Sequence, residues 1–306
     1  MDKKRLTFIL MFALVFMWGL DYSVAKNALE VFRPLNLMFF KYLGGLIVIT
    51  LIKAVAERKF TIRKKDIIFF VMCSLTGQVL YYFCEYTAME YIPVALITII
   101  LSFVPIISIL IERVFFKTEL SVSIIAGLVV CVIGVGLVIG ADFKSLFSGR
   151  ALGYLLAFGA AISWNLYNFI TARISRTYTE LTMAFNQLLC TVLISLPYAA
   201  AVMPPAECFT PKIILSLAYL GVGSAGTGHL IYVRGVKYLG PTISSLFSNF
   251  LPVTSTFFGW LILGQSLGVM QIAGGLIVIV SACYVIIEKS RLQKQELKLR
   301  LENEIK

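Results

Sequence analysis

The chain has 306 residues, of which 59% are hydrophobic and 14% are charged, and its net charge is +11. A soluble globular domain has about 45–50% apolar and about 25% charged residues. With a mean hydropathy of +0.90, too little polar material remains to cover a water-facing surface, so the composition excludes an ordinary soluble protein. The cations are not gathered in one basic stripe, and the sequence therefore predicts no nucleic-acid partner.

Apolar runs long enough to cross a membrane recur along the whole chain. A transmembrane helix needs about 20 mostly apolar residues, and runs of this kind predict an all-α polytopic protein with ten helices. The first five are expected near residues 6–25, 34–52, 67–84, 91–111 and 120–141. The next three are expected near residues 151–172, 181–206 and 213–233. The uncharged run 238–287 contains the last two, separated by the turn sequence Gly264-Gln265-Ser266-Leu267-Gly268.

Lys and Arg are concentrated in alternate loops. Because short loops rich in Lys and Arg remain in the cytoplasm, this pattern predicts that both termini are cytoplasmic. The first apolar run continues through Trp18 and Asp21 without a small-residue cleavage site, which favours a retained helix over a signal peptide. The basic tail 289–306 is expected either to lie on the cytoplasmic membrane surface or to be solvated.

The two halves of the chain are related by an internal repeat. A shift of 147 positions superposes Tyr91 on Tyr238, Phe103 on Phe250, Pro105 on Pro252 and Gly127 on Gly274, and a shift of 146 superposes Trp18 on Trp164. Five helices per half is an odd number, so the second half must enter the membrane from the opposite side, as in inverted-repeat transporters. The predicted organisation is a first repeat at 1–141, an outer linker at 142–150, a second repeat at 151–288 and the tail.

Several of these residues resemble a known transporter family. The pattern comprises Trp18-Gly19, the segment Glu85-Tyr86-Thr87-Ala88-Met89-Glu90-Tyr91 followed by Pro105, Gly127 and Gly134, and Tyr238, Pro252 and Gly274 in the second half. It resembles the EamA branch of the drug/metabolite transporter superfamily over about residues 6–288. The resemblance implies export or exchange of small metabolites, such as amino acids or amphiphilic compounds, through a cavity between the repeats. It also implies a place in the plasma membrane, the inner membrane of a bacterium.

Ionisable groups inside predicted helices are candidates for function, because each is costly in hydrocarbon unless it is paired or hydrated. Asp21 and Lys41 both fall in the outer third of their helices and could pair. Two interpretations stay open: Asp21 accepts a proton or cation that displaces Lys41, or the two form a static structural ion pair. Glu85 is expected near the outer interface, where a snorkelling or loop-capping carboxylate is the favoured interpretation, and it is the second candidate for proton coupling. His229, the one histidine of the sequence, is predicted to be a packing residue rather than a proton shuttle.

A central cavity is expected where Pro105 and Pro252 break helices 4 and 9, because each proline removes a helical hydrogen bond. Packing kinks are the alternative. The predicted cavity residues are Trp18, Tyr22, Tyr82, Ser102, Trp164, Tyr167, Asn168, Asn186, Gln187, Tyr232, Ser245 and Asn249. Aromatic faces suit an apolar or cationic part of a substrate; membrane-interface aromatic belts are the competing interpretation for the tyrosines.

Other chemistry is not indicated by the sequence. The segment Gly221-Val222-Gly223-Ser224-Ala225-Gly226 matches a dinucleotide motif but lies in an apolar span, where small residues allow close helix packing. The chain has no P-loop sequence, and its six cysteines include no C-x-x-C pair, so neither a cofactor nor a metal is predicted.

The sequence therefore predicts a non-enzymatic secondary transporter of small organic metabolites that acts as an exporter. It is expected to contact the lipid bilayer, its substrate and, if coupled, protons, and to work as a monomer or homodimer. An uncoupled facilitator and a membrane enzyme acting on lipid-linked substrates are the alternatives. Short loops and the lack of a clustered acid, base and metal set at one interface disfavour the enzyme.

Overall fold

The computed structural model describes residues 2–58, 62–88, 90–92, 94–116, 121–139, 151–264 and 268–305. The first half contains α1 (Lys3–Leu29), α2 (Pro34–Ala56), α3 (Lys64–Ala88), α4 (Val94–Leu101), α5 (Val104–Phe116) and α6 (Val122–Ile139). The second half contains α7 (Ala151–Ile174), α8 (Glu180–Ala201), α9 (Pro211–Leu239), α10 (Pro241–Leu246), α11 (Leu251–Leu263) and α12 (Val269–Ile305). These described residues include no β-strand, which confirms the all-helical prediction.

Seven of the described helices are long and apolar enough to cross a membrane: α1, α2, α3, α7, α8, α9 and α12. Helix α6 is a shorter apolar helix. The fourth and ninth predicted helices are not regular α-helices throughout. The fourth is interrupted by a turn at residues 102–103 between α4 and α5, and the ninth by a 3-10 turn at Phe247–Phe250 between α10 and α11. Pro105 and Pro252 lie in the first turns of α5 and α11, where a missing N–H disturbs the helix least.

The two halves repeat unusual backbone features as well as residues. Helix α3 contains a π-helical turn at Leu75–Leu80, and α9 contains one at Tyr219–Gly228. Shifting the first turn by 146 positions gives residues 221–226, inside the second. Glycines permit close contacts there: a Cβ added to Gly221 would lie 3.0 Å from the Cα of Gly44, and one added to Gly77 would lie 2.4 Å from the ring of Tyr167. Each π turn is therefore held against a neighbouring helix.

Helices α6 and α12 form an antiparallel pair with internal symmetry. A Cβ added to Gly127 would lie 2.6 Å from a methyl of Val285, and one added to Gly274 would lie 2.6 Å from the backbone nitrogen of Val138. A shift of 147 positions converts the first of these contacts into the second. Because higher numbers on α6 meet lower numbers on α12, these two equivalent helices run in opposite directions.

Helices of each half also pack on helices of the other half. In the first half, α1 packs on α11 of the second half, where the Thr254 hydroxyl donates a hydrogen bond of 3.1 Å to the Val15 carbonyl. In the second half, α7 packs on α5 of the first half, where the Asn165 amide donates one of 3.2 Å to the Val104 carbonyl. The halves therefore share one interface.

Apolar side chains cover much of the outer surface, whereas polar side chains are buried inside. Exposed side chains include Phe16, Val122, Leu155 and Leu276, and fully buried ones include Asn165, Asn168, Gln187 and Ser245. This distribution is the reverse of that in a soluble protein and suits a lipid solvent. The buried polar groups mark the centre of the bundle as the place to look for a site.

Candidate functional site

Five aromatic side chains from four helices meet at the centre of the bundle. The Trp164 ring centroid lies 6.1 Å from Trp18, 5.1 Å from Tyr167, 5.1 Å from Tyr232 and 4.9 Å from Tyr81. The Trp18 ring also lies 5.2 Å from Tyr232. Such centroid separations are typical of stabilising aromatic pairs. Four of the five were predicted, and we call the set the aromatic cluster.

A hydrogen-bonded chain runs through the aromatic cluster. The Trp164 indole N–H donates to the Tyr232 hydroxyl at 3.1 Å, and this hydroxyl donates to Oδ1 of Asn168 at 2.9 Å. The amide nitrogen of Asn168 is buried and has no hydrogen-bond partner. A buried donor without a partner costs free energy, so this amide is suited to a polar ligand.

Gln187 on α8 connects a second polar group to the cluster. Its Oε1 accepts from the Tyr167 hydroxyl at 3.3 Å and lies 2.9 Å from Nε2 of His229, while its Nε2 donates to the Thr171 hydroxyl at 3.0 Å. His229 is buried, and its hydrogen bond to Gln187 is the arrangement expected of a packing residue. Thr171 was not predicted from the sequence.

Asp21 and Lys41 form a buried ion pair. Lys41 Nζ donates to Oδ2 of Asp21 at 2.5 Å, and their side chains are 4% and 14% exposed, respectively. The same ammonium lies 3.3 Å from the Tyr82 hydroxyl and 5.1 Å from the centre of the Tyr82 ring. Oδ1 of Asp21 is buried and has no partner. The pair therefore keeps one free acceptor.

Tyr42 connects the ion pair to the central network. Its ring centroid is 6.1 Å from Tyr82 and 6.4 Å from His229. The sequence prediction missed Tyr42, although it directly follows Lys41 and thus lies in the same turn of α2. Tyr81 was not among the predicted cavity residues; its hydroxyl donates to Glu85 at 3.0 Å, four residues later on α3. That spacing places two side chains on one helix face and was a usable signal.

Three other predicted cavity residues bond to backbone carbonyls three or four positions earlier in the chain. Ser102 donates to the Ile99 carbonyl, Ser245 to the Thr242 carbonyl and Asn186 to the Thr182 carbonyl. Asn249 donates to the sulfur of Cys131 at 3.5 Å, and its Oδ1 is buried without a partner. The side chain of Tyr22 lies outside the described residues. A role for these five in the cavity stays a prediction.

A narrow crevice, too small in this state to hold a substrate, lies beside the aromatic cluster. It is lined by Met11, Leu14, Val15, Trp18, Tyr232, Phe247, Ser248 and Leu251. Phe247 and Ser248 belong to the interruption between α10 and α11, so the broken helix borders the aromatic residues. Within the described part of the chain, no three His, Cys, Asp or Glu residues are grouped so that they could hold a metal ion.

An apolar helical bundle with two repeated halves and a buried aromatic and polar centre is the architecture of a multi-pass membrane transport protein. The EamA-like transporter family model matches residues 5–140 and 151–287, nearly the whole chain. The chain belongs to this family, and the two matches bear out the resemblance predicted from the sequence. It is therefore a multi-pass protein of the plasma membrane.

Full-length relatives support the family assignment. The chain is 24% identical to the uncharacterized transporter YvbV of Bacillus subtilis over 295 residues, which cover 96% of this chain and 95% of the relative. An uncharacterized transporter of Archaeoglobus fulgidus is 20% identical over 89% of this chain and 95% of its own length. A solved crystal structure has the same fold, with a TM-score of 0.74 at 19% identity over 94% of this chain and 98% of the other.

Proposed function

We propose that the protein is a secondary transporter with ten membrane crossings, in which two inverted five-helix repeats move about the central site. The repeats comprise residues 1–141 and 151–288, joined by an outer linker at 142–150 and followed by a cytoplasmic tail. The antiparallel α6–α12 pair supports the inversion, because helices equivalent by sequence run in opposite directions. The distribution of Lys and Arg supports cytoplasmic termini.

The observation that carries the proposal is a buried site built by both repeats with unsatisfied polar atoms. Trp18, Asp21 and Lys41 come from the first repeat, whereas Trp164, Asn168 and Tyr232 come from the second. Asp21 offers a free acceptor and Asn168 a free donor. A transported molecule would satisfy atoms whose burial otherwise costs free energy.

The chemistry of the site favours a small organic metabolite with polar and apolar parts, such as an amino acid or another amphiphile. The ring faces of Trp18 and Tyr232 suit the apolar part, and the Asp21–Lys41 pair suits charged groups. We propose export as the direction, on the family resemblance. In the coupled version a proton neutralises Asp21 and releases Lys41, with Glu85 as the second candidate.

An uncoupled facilitator is the second candidate function. The 2.5 Å contact between Lys41 and Asp21 favours it, because a closely paired, largely buried couple can be static. In that version Asp21 orients α1 against α2 and carries no proton. Flux would then follow the metabolite gradient alone.

Transport is tested by comparing metabolites inside and outside cells that express wild type, Trp164→Ala or Trp260→Ala. Trp260 is 45% exposed on α11 and serves as the matched control. We expect at least one small metabolite to shift outward in wild-type and control cells but not in Trp164→Ala cells at equal expression. The same profile in all three strains and in cells without the protein would refute the proposal.

Coupling is tested once that metabolite is known. Wild-type protein and the Asp21→Asn variant are reconstituted separately in vesicles, and flux is measured for each with and without a pH gradient. Coupled export predicts flux that follows the gradient in wild type and ignores it in the variant. Flux that ignores the gradient in wild type, and is retained by Asp21→Asn, selects the uncoupled facilitator.

A further inference from the structure

Four carboxylates take part in polar connections between the two repeats at one end of the bundle. We call them the basal carboxylates: Glu57, Asp66, Glu112 and Glu180. This end contains the start of α1, the ends of α2 and α5, and the start of α8. It is the end that the Lys and Arg distribution places in the cytoplasm.

Glu112, near the end of α5, is held by one residue of the second repeat and by the first residue of the tail, which continues helix α12. Thr242 of α10 donates to its Oε1 at 2.5 Å, and Lys289 of α12 donates to its Oε2 at 2.6 Å. Both charged residues are buried, at 8% and 9% exposure. A largely buried ion pair is screened little by salt and resists separation.

Glu57, which follows α2, is held from α8. It accepts from Thr179 at 2.5 Å and Thr182 at 2.9 Å, and it also pairs with Lys53 of its own helix. Partial burial opposes ionisation, but these hydrogen bonds outweigh it and lower the pKa of Glu57. The carboxylate is therefore held in its charged form.

Asp66 and Glu180 complete the set. Asp66 accepts from the Tyr178 hydroxyl at 2.7 Å, which ties the start of α3 to the loop before α8. Glu180 accepts from Arg234 at 2.6 Å, and Arg234 donates through Nε to Thr7 of α1 at 3.1 Å. Each carboxylate thus takes part in a polar connection between a helix of one repeat and an element of the other.

The internal repeat shows that these carboxylates are an asymmetric addition. A shift of 147 positions superposes Glu57, Asp66, Glu112 and Glu180 on Pro204, Ile213, Gly259 and Arg33. None of the four equivalents is acidic. Inverted repeats with equal contacts at both ends would close either side equally well, whereas in the described part of the chain these four carboxylates all lie at one end.

We propose that the basal carboxylates form a latch that closes the cytoplasmic side of the transporter and makes the cytoplasm-closed state the resting state of the empty protein. The proposal rests on the alternating-access function proposed above. Charge-assisted hydrogen bonds between the repeats must break before the cytoplasmic side opens. Loading of substrate from the cytoplasm therefore requires the latch to open first.

The test uses native cysteines as reporters of opening. Cys73 is fully buried in the basal half of α3, one turn from Phe70, whose ring lies 5.3 Å from that of Tyr178. Cys84 is buried nearer the opposite end of the same helix. Purified full-length protein without substrate is treated with N-ethylmaleimide, and the rate at each cysteine is read by peptide mass spectrometry.

The variants are Glu112→Lys, Lys289→Glu and the double exchange. We expect each single variant to label Cys73 several-fold faster than wild type, with no increase at Cys84, and the double exchange to return the rate near wild type. Unchanged labelling of Cys73, equal increases at both cysteines, or a double variant as reactive as the singles would overturn the latch. Since no substrate is present, this result is independent of the metabolite comparison.

Discussion

Two residues of the central site are distinguished by buried polar atoms that have no hydrogen-bond partner, as well as by the contacts they make. Asp21 and Asn168 each keep one buried polar atom without a partner while their other atom is bonded. Evolution tolerates such unsatisfied atoms mostly where a ligand or ordered water meets them. Removing one member of the Asp21–Lys41 ion pair should therefore affect stability differently from removing both.

Asp21→Asn should destabilise the fold more than the double variant Asp21→Asn/Lys41→Met. The single change leaves the Lys41 ammonium buried without its counter-charge, which costs about 3–5 kcal/mol, whereas the double change removes both charges. Thermal unfolding in detergent measures the order. A single variant as stable as wild type would show that the ion pair is not a buried, coupled unit.

Tyr232→Phe should weaken the site without removing an aromatic ring. The change leaves the Trp164 N–H and Oδ1 of Asn168 without their shared partner, at about 1–3 kcal/mol. Tyr238→Phe is the control, because the Tyr238 ring, which Arg234 and Lys237 approach, is kept. Unfolding temperatures that fall equally in both variants would contradict the hydrogen-bonded chain.

Composition and position allowed part of this site to be predicted from the sequence. Charged groups and tryptophans are rare in lipid-facing helices, so Asp21, Lys41, Trp18 and Trp164 stand out against an apolar background. Tyr42, Tyr81 and Thr171 did not, because tyrosines and threonines are also common in membrane-interface belts and helix contacts. Which of these side chains point into the bundle depends on how each helix is rotated about its axis. The apolar pattern does not determine this rotation, because the helices are apolar on their lipid-facing side as well.

At the scale of elements, glycine contacts determine how closely helices approach. Gly274 on α12 faces the backbone of α6 at Val138, whereas Gly136 on α6 has no atom within 4 Å of an added Cβ. The sequence predicted the repeat and its breaks near Pro105 and Pro252. It did not predict the form of each break, a turn between α4 and α5 and a 3-10 turn between α10 and α11, because the carbonyls freed by a proline can be satisfied in several ways.

Gly274→Val should destabilise the protein by about 1–3 kcal/mol or more, because overpacking against backbone cannot be relieved by a side-chain rotation. Gly136→Ala should be neutral or stabilising by about 0.5–1 kcal/mol, since alanine is the better helix former. Unfolding temperatures of the two variants in the same detergent decide the matter. Equal losses would show that α6 and α12 are not packed through Gly274.

At the scale of the whole molecule, ion pairs gather at the end of the bundle where the basal carboxylates lie. Three of the cations that predicted the topology have partners at this end. Each of Lys53, Arg234 and Lys289 pairs with a basal carboxylate. The sequence allowed the sidedness of these groups to be predicted. It could not give the pairings, because they join positions as far apart as Glu112 and Lys289.

The contribution of Glu57 to stability should disappear in acid. Its pKa is lowered from the ordinary value of 4.5 in the folded protein, so its stabilising contribution is complete above that value and is lost as the pH falls through the lowered pKa. The unfolding temperature of wild type should exceed that of Glu57→Gln at pH 7 and converge with it below pH 4.5. A difference that persists into strong acid would contradict the charged hydrogen bonds.

The central claim is that one site between the repeats faces each side of the membrane in turn. Ser248 lines the crevice beside Trp18 and Tyr232, so Ser248→Cys in sealed vesicles of known orientation tests it with a membrane-impermeant maleimide added to one side at a time. The account predicts that the peptide containing residue 248 is labelled from either side, faster from the cytoplasmic side when Glu112→Lys is also present. Labelling from one side only, in every variant, would contradict it.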